Sequence, residues 1–383
     1  MARKKKILTS SSSSSSSSKL PDWSLLPEEL LQIVSKNVEN CFDVVHARSV
    51  CSSWRSTFPF PSSLSRQSYS LPTFKSESQD MCTLEKVPLF VFRVQTPAAS
   101  TSPFEYFLGG IGRDDSEDRV KLPSPLQSSV KVEIPGYDPT LLSMVDCQIL
   151  SLGHQYRLIG WEPKDYRGVA FVPLNKKGRE GEFVVILNYT NVLMVLTSAE
   201  MKWKRLENVP YAICSDLVTF RGRFYAAFLT QNTFVIDPYS LEVTLLMPSP
   251  QKPLNYLVAF GNDELFLVEV TIPNFDVIDF SRFTCIVSRL DEEGGKWVEV
   301  TDLGDRVLFI GHFGNVSCSA KELPDGCGVS GNSILFTNEP TFAYKYGVHT
   351  GSTEDDLNCW RSTRENRVMI LNTSPVLALQ VER

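Results

Sequence analysis

The feature that most narrows the fold of this 383-residue chain is a succession of short apolar runs that begins near Pro88 and continues most of the way to the C-terminus. LFVFRV, EYFL, VKVEI, FVVIL, VLMVL, RFYAAF, TFVID, EVTLL, ELFLVEV, FTCIVSRL, KWVEV, VLFIG and SILFT are rich in β-branched and aromatic residues. Most lie about 8 to 12 residues apart, which suits strands joined by tight turns, and long helical periodicity is absent between them. Turn-forming residues agree: Arg221-Gly222, Asp237-Pro238, Gly261-Asn262-Asp263 and Gly294-Gly295 each separate two runs. Residues 88–383 therefore read as a mainly-β domain.

A weak repeat narrows the choice of β fold. Phe220-x-Gly222-x-Phe224-Tyr225, Phe260-Gly261-x-x-x-Leu265-Phe266 and Val329-x-Gly331-x-x-Ile334-Leu335-Phe336 each place a glycine turn before an apolar strand. Trp203 and Trp297 each follow a lysine and lead into an alternating strand, and their separation fits two four-stranded blades of about 45 residues. At that period the region would hold about six blades of a β-propeller. A pair of β-sandwiches is the alternative, and it would not require the glycine-strand recurrence.

Ahead of the strands the composition changes. Residues 1–21 carry Arg3, Lys4, Lys5, Lys6 and Lys19 with no acid before Asp22, in a chain whose net charge is -6. Ser10 to Ser18 is an unbroken serine run that can bury nothing, so residues 1–21 are expected to be a disordered basic tail. Arg3 to Lys6 fits either a nuclear import signal or a solvated basic run. Ile7 and Leu8 are the only apolar residues between those charges and the serines, too few for a secretory signal, and the clustered lysines count against a plastid transit peptide. The expected location is the nucleus, the cytoplasm or both. With 44 acidic against 38 basic side chains, neither nucleic acid nor an anionic membrane is expected as a partner of the whole surface.

The uncharged stretch from Phe183 to Ala199 is too short for a membrane span, and its centre is the polar Asn188-Tyr189-Thr190-Asn191. Two buried strands around a turn explain it better. Cys41, Cys51, Cys82, Cys147, Cys214, Cys285, Cys318, Cys327 and Cys359 form no CxxC pair, and the odd count reads as buried free thiols rather than disulfides or a zinc site.

Between Asp22 and Phe60 the pattern is that of short amphipathic helices. Pro27 suits a helix start, and Glu28 and Glu29 suit the positive end of the dipole. Leu30, Leu31, Ile33 and Val34 then supply an apolar face at spacings of three and four. Asp43 is placed to cap a second helix with Val44, Val45, Ala47 and Val50 inward, and Cys51 and Trp54 carry the stripe into a third. About forty residues cannot enclose a stable core alone, so this segment is expected to need another surface. Residues 61–87, with many Ser and Pro and few large apolar clusters, read as a linker.

Leu26-Pro27-x-x-Leu30-Leu31-x-Ile33, followed by Arg48-Ser49-Val50-Cys51-Ser52-Ser53-Trp54-Arg55, resembles an F-box. The resemblance implies that Leu26, Pro27, Leu30, Leu31, Ile33, Val50, Cys51 and Trp54 contact a Skp-type adaptor, with some of them serving instead as internal core. Farther along, Trp297-Val-Glu-Val, the run Leu303-Gly304-Asp305-Arg306 to Gly311, Ser317, Ser319-Ala320 and Gly331-Asn332 to Asn338 resemble plant F-box proteins with a C-terminal kelch-like domain of unknown function. The likeness covers residues 22–348. Beyond Tyr346-Gly347-Val348 the family continues with an F-D-L strand, whereas this chain reads His349 to Thr353 and then Glu354-Asp355-Asp356, which leaves the closure of the last blade open.

The expected architecture is thus α+β and multidomain: a tail at 1–21, a three-helix F-box at 22–60, a linker at 61–87 and a kelch-like β-propeller at 88–383. His46, His154, His312 and His349 lack metal-ligand spacing, Gly109-Gly110-Ile111-Gly112 has the wrong spacing for a phosphate loop and reads as a surface loop, and Asp114 to Asp118 reads as a solvated acidic loop. No catalytic residue, cofactor or metal is assigned. The family resemblance implies the substrate-recognition subunit of a Skp-cullin-F-box (SCF) ubiquitin ligase, joined through its adaptor to a cullin-RING scaffold and recruiting an unidentified protein target. The alternative is a propeller enzyme, or a binding module outside any ligase.

Overall fold

The computed structural model describes residues 22–38, 41–58, 63–64, 68–74, 80–95, 104–112, 120–121, 129–133, 140–143, 148–161, 166–174, 181–230, 232–246, 254–271, 284–311, 314–337, 342–346, 360–361, 367–373 and 376–382. The expected basic tail and the acidic run Asp114 to Asp118 lie outside them. Two compact units divide between Phe60 and Pro61.

In the first unit a 3-10 turn, Trp23–Leu25, precedes three helices, α1 (Glu28–Asn37), α2 (Cys41–Val50) and α3 (Ser52–Thr57). Pro27 is extended at the N-cap of α1, and its carbonyl accepts from the amides of Leu30 and Leu31 at 3.1 and 3.0 Å. Proline has no amide to leave unpaired there. Asp43 falls in the first turn of α2 rather than at its cap, because the helix already begins at Cys41, and it still meets the positive end of the dipole. The core consists of Leu31, Val44 and Phe58, with Leu26, Val38, Ala47 and Trp54 packed around it. Arg48 donates to the carbonyls of Arg55 and Phe58, tying α2 to the end of α3.

The second unit is a five-bladed β-propeller. Blade I is a nine-stranded sheet, and blades II to V are four-stranded. Blade II runs from Tyr166–Pro173 to Lys204–Arg205, blade III from Cys214–Phe220 to Val243–Leu245, blade IV from Leu254–Phe260 to Lys296–Glu299, and blade V from Arg306–Ile310 to Phe342–Lys345. One edge strand of each sheet faces the centre: Gln148–Ile159, Tyr166–Pro173, Cys214–Phe220, Leu254–Phe260 and Val316–Ser319 neighbour one another in a closed ring. Closure removes the innermost edges that so many short strands would otherwise expose.

Five hydrophobic clusters fill the five spaces between adjacent blades, and strand alternation explains how one run serves two of them. Val184 and Ile186 pack toward blade III with Phe224 and Phe228, while Val185 and Leu187 pack toward blade I with Leu71 and Leu84. Leu257, Leu265 and Leu267 face blade III, and Val258, Phe266 and Val268 face blade V. Both faces of a blade are covered, so its strands read as continuous apolar runs. The 183–197 stretch is, as expected, a buried hairpin, Phe183–Tyr189 with Val192–Thr197.

Three expectations are corrected. The blades number five rather than about six, because blade I takes strands from 68–159 and again from 360–382, while blades II to V keep the expected spacing of about 45 residues. The interval 61–87 is not a linker. Ser68–Pro72 and Met81–Gln95 are paired strands of blade I, and Leu71, Cys82, Leu84 and Val87 are buried. Their alternation with polar neighbours is the mark of a strand, masked in the sequence by the surrounding serines. Gly109 to Gly112 closes the strand Phe104–Gly112 instead of forming a loop.

The break from the family pattern after Val348 has a topological counterpart. Blade V ends with Phe342–Lys345, and the hairpin of Arg367–Thr373 with Val376–Glu382 inserts into blade I between Phe104–Gly112 and Ser129–Glu133. The tail extends the first blade and does not close the last.

Candidate functional site

The structure divides the residues singled out in the helical unit into two sets. Leu31 is wholly buried and belongs to the unit's own core, as does most of Leu26. Leu30 and Ile33 point the other way, 47% and 58% exposed, and Val50 at the end of α2 is also exposed. Leu30, Ile33 and Val34 share the face that positions i, i+3 and i+4 define on α1. Pro27 is exposed, and Cys51 is half-buried at the start of α3.

Trp54 is not freely presented. Its ring stacks on Phe58 with 5.3 Å between centroids and 3° between planes, and its indole N–H donates to the carbonyl of Trp23 at 2.9 Å. Two exposed residues escaped sequence reasoning, Trp23 and Leu25, the latter 78% exposed. The available signal was their place beside Leu26 in a turn that Asp22 can start. The Asp22 carboxylate accepts from the Ser24 amide at 3.0 Å and its hydroxyl at 2.6 Å, and these bonds hold the carboxyl below the usual range.

In the propeller, the motif residues of blade V prove to be fasteners. Gly331 is glycine because a Cβ there would lie 2.7 Å from the carbonyl of Gly304. Asn332 accepts from the Leu303 amide at 2.9 Å and donates to the Tyr346 carbonyl at 2.7 Å. The Tyr346 hydroxyl then donates to the carbonyl of Val300 at 2.6 Å and accepts from the amide of Val287 at 3.0 Å, both in blade IV. Ser317 donates to the Ala259 carbonyl at 2.6 Å, joining inner strands of blades IV and V.

A second fastener sits at the ring itself. The Asp216 carboxylate accepts from the amides of Leu217 and Leu257 at 2.8 and 2.6 Å and from the Asn315 side chain at 2.6 Å, so one residue ties blade III to blades IV and V. Burial pushes its carboxyl up to about 6, against the pull of these three donors.

Between blades III and IV a cleft of about 370 Å³ is lined by Phe220, Arg221, Glu264, Arg289, Leu290 and Glu292, among others. Arg221 donates to the carbonyls of Asn262 and Asp263 at 2.7 and 2.8 Å and pairs with Glu292, and Glu264 pairs with Arg289 at 3.1 Å and with Arg306. Most of the charged walls are paired with one another, so the cleft acts as an inter-blade clasp. No group of His, Cys, Asp and Glu suited to a metal occurs among the described residues. Cys82, Cys214, Cys285, Cys318 and Cys327 are buried free thiols, and burial pushes Cys82 up to about 11 and Cys318 to about 12.

A short helical unit with apolar residues turned outward thus precedes a five-bladed propeller. Residues 70–360 match the family model described as KIB1-4 beta-propeller. F-box/kelch-repeat protein At1g64840 of Arabidopsis thaliana is 63% identical over 377 residues, covering 95% of this chain and 97% of that protein. F-box/kelch-repeat protein At2g24250 of the same plant is 60% identical, covering 96% and 97%. The Arabidopsis F-box protein SKIP23 is 27% identical, covering 83% and 86%. The chain belongs to the plant F-box/kelch-repeat family with a KIB1-4 β-propeller.

Proposed function

We propose that the protein is the substrate-recognition subunit of an SCF-type ubiquitin ligase, its helical unit binding a Skp-type adaptor and its propeller holding a protein target. The observation that carries this reading is the outward apolar set of Leu25, Leu30, Ile33, Val34 and Val50 on a unit whose own core, among the described residues, is Leu31, Val44 and Phe58. Large exposed apolar residues grouped on so small a unit are costly in water and favour a partner groove. Leu30 and Ile33 supply the anchors, with Pro27 and Cys51 at their margins, while Leu26, Leu31 and Trp54 build the surface that presents them.

In this role the protein contributes proximity. Holding a target beside the lysine-modifying enzyme raises its effective concentration, and no bond is made or broken by the chain itself. Titration of the full-length protein with a purified Skp-type adaptor tests the reading. Saturable one-to-one binding is expected, and no binding to any such adaptor would return the protein to the propeller enzymes or free-standing binding modules.

A further inference from the structure

Trp54 was expected to be one of the adaptor contacts, yet its indole is committed inside the unit. One ring face is stacked on Phe58, the ring packs against the core of Leu31, Val44 and Phe58, and the indole N–H is spent on the carbonyl of Trp23. That carbonyl also receives the Leu26 amide at 3.4 Å, closing the 3-10 turn. Asp22 caps the same turn from the other side. The turn is three residues long, with no buried residue and little intrinsic stability of its own. What the turn presents is Leu25, which is 78% exposed, next to Leu26, which packs inward on the core.

From this geometry we infer that Leu25 is an adaptor anchor and that Trp54 is a positioning residue, whose indole N–H clasps the Trp23–Leu25 turn so that Leu25 stands beside the Leu30, Ile33 and Val34 face of α1. The inference rests on the adaptor reading. Three links carry it. Leu26 ties the end of the turn to the core, Pro27 starts α1 directly after it, and Trp54 reaches back from α3 to hold the beginning. With both ends held, the backbone at Leu25 is ordered before any partner arrives, and ordering a side chain in advance is what turns exposed apolar area into affinity. A phenyl ring can keep the stack on Phe58 but has no N–H for the clasp, so the two contributions of Trp54 are separable by Trp54→Phe.

The test is a double-mutant cycle on the full-length protein, with adaptor affinity measured by calorimetry and amide exchange of residues 22–30 followed without adaptor. Leu25→Ala is expected to weaken binding by about tenfold or more, as loss of a central apolar anchor does. Trp54→Phe is expected to weaken it about fivefold, the worth of one hydrogen bond, with the thermal midpoint of the propeller unchanged. In the Leu25→Ala background, Trp54→Phe should have less than about a twofold effect, because its only consequence for binding is the placement of Leu25. A full fivefold loss in that background, or no loss in the wild-type background, overturns the inference. The exchange measurement separates this from a failure of the adaptor reading: amides of the turn should exchange about fivefold faster in Trp54→Phe whether or not any adaptor binds, and unchanged exchange overturns the clasp itself.

Discussion

The helical unit buries Leu31, Val44 and Phe58 and leaves Trp23, Leu25, Leu30, Ile33, Val34 and Val50 in solvent, whereas the propeller encloses a hydrophobic cluster between every pair of adjacent blades. The exposed large apolar residues of the propeller, among the described residues, are distributed over four blades, with Met81 and Ile159 in blade I, Met201 in blade II, Leu229, Tyr239 and Leu245 in blade III and Val298 in blade IV. A ring of sheets covers each face with the next sheet and needs nothing further. Three short helices have no such geometry, and their second apolar face can be covered only from outside. On the proposed reading, the contrast places the adaptor-binding surface in residues 22–58.

The strongest way to break that contrast is to charge the outward face. Leu30→Asp with Ile33→Asp should lower adaptor affinity at least about a thousandfold, two anchors being removed and two carboxylates desolvated, while the thermal midpoint of the propeller stays where it was. Calorimetric titration reads the first and a melting curve the second. Leu31→Asp should act by another route: a carboxylate forced into the small core costs several kcal/mol, and amide protection in α1 and α3 should vanish even without a partner. If both variants behaved alike, the division between core and binding face would be lost.

The propeller can be probed at its fasteners. Asp216→Ala should destabilise it, since the Leu257 amide and the Asn315 side chain lose their acceptor. Because the Asp216 carboxyl is raised from an ordinary value of 3.8 to about 6, its ionisation weighs against the folded state, so wild-type stability from this group falls as pH rises through that window. The gap between wild type and Asp216→Ala should narrow between pH 4 and pH 7, by up to about 3 kcal/mol, and a gap that widened with pH would contradict the burial. The smallest effect is expected for Tyr346→Phe, which removes the hydroxyl joining blades IV and V and should lower stability by about 1 to 2 kcal/mol in urea unfolding.

Much of the propeller was legible in the chain. The strand runs, the turns at Arg221-Gly222 and Gly294-Gly295, and the Trp203 to Trp297 spacing all match observed blades, because pairing between sequence neighbours is a local matter. Arg221 and Gly222 both adopt positive φ, 48° and 71°, the backbone that a two-residue hairpin requires. Blade I was legible only in part: LFVFRV, EYFL and VKVEI read as strands and are strands of it, but their membership of one sheet with Ser68–Pro72 and the C-terminal hairpin did not show. Its strands come from segments as far apart as Ser68–Pro72 and Val376–Glu382, and no local pattern records which distant edge a strand will join.

At the helical unit the sequence by itself determined three helices, the start of the first beside Pro27 and the residue types available to a partner, since periodicity depends on neighbours along the chain. Only the tertiary structure decided which member of each adjacent pair looks inward. Leu30 and Leu31, like Leu25 and Leu26, are chemically identical neighbours, and what separates them is the position of Val44, Phe58 and Trp54, brought in from α2 and beyond to cover one side of α1 and leave the other open.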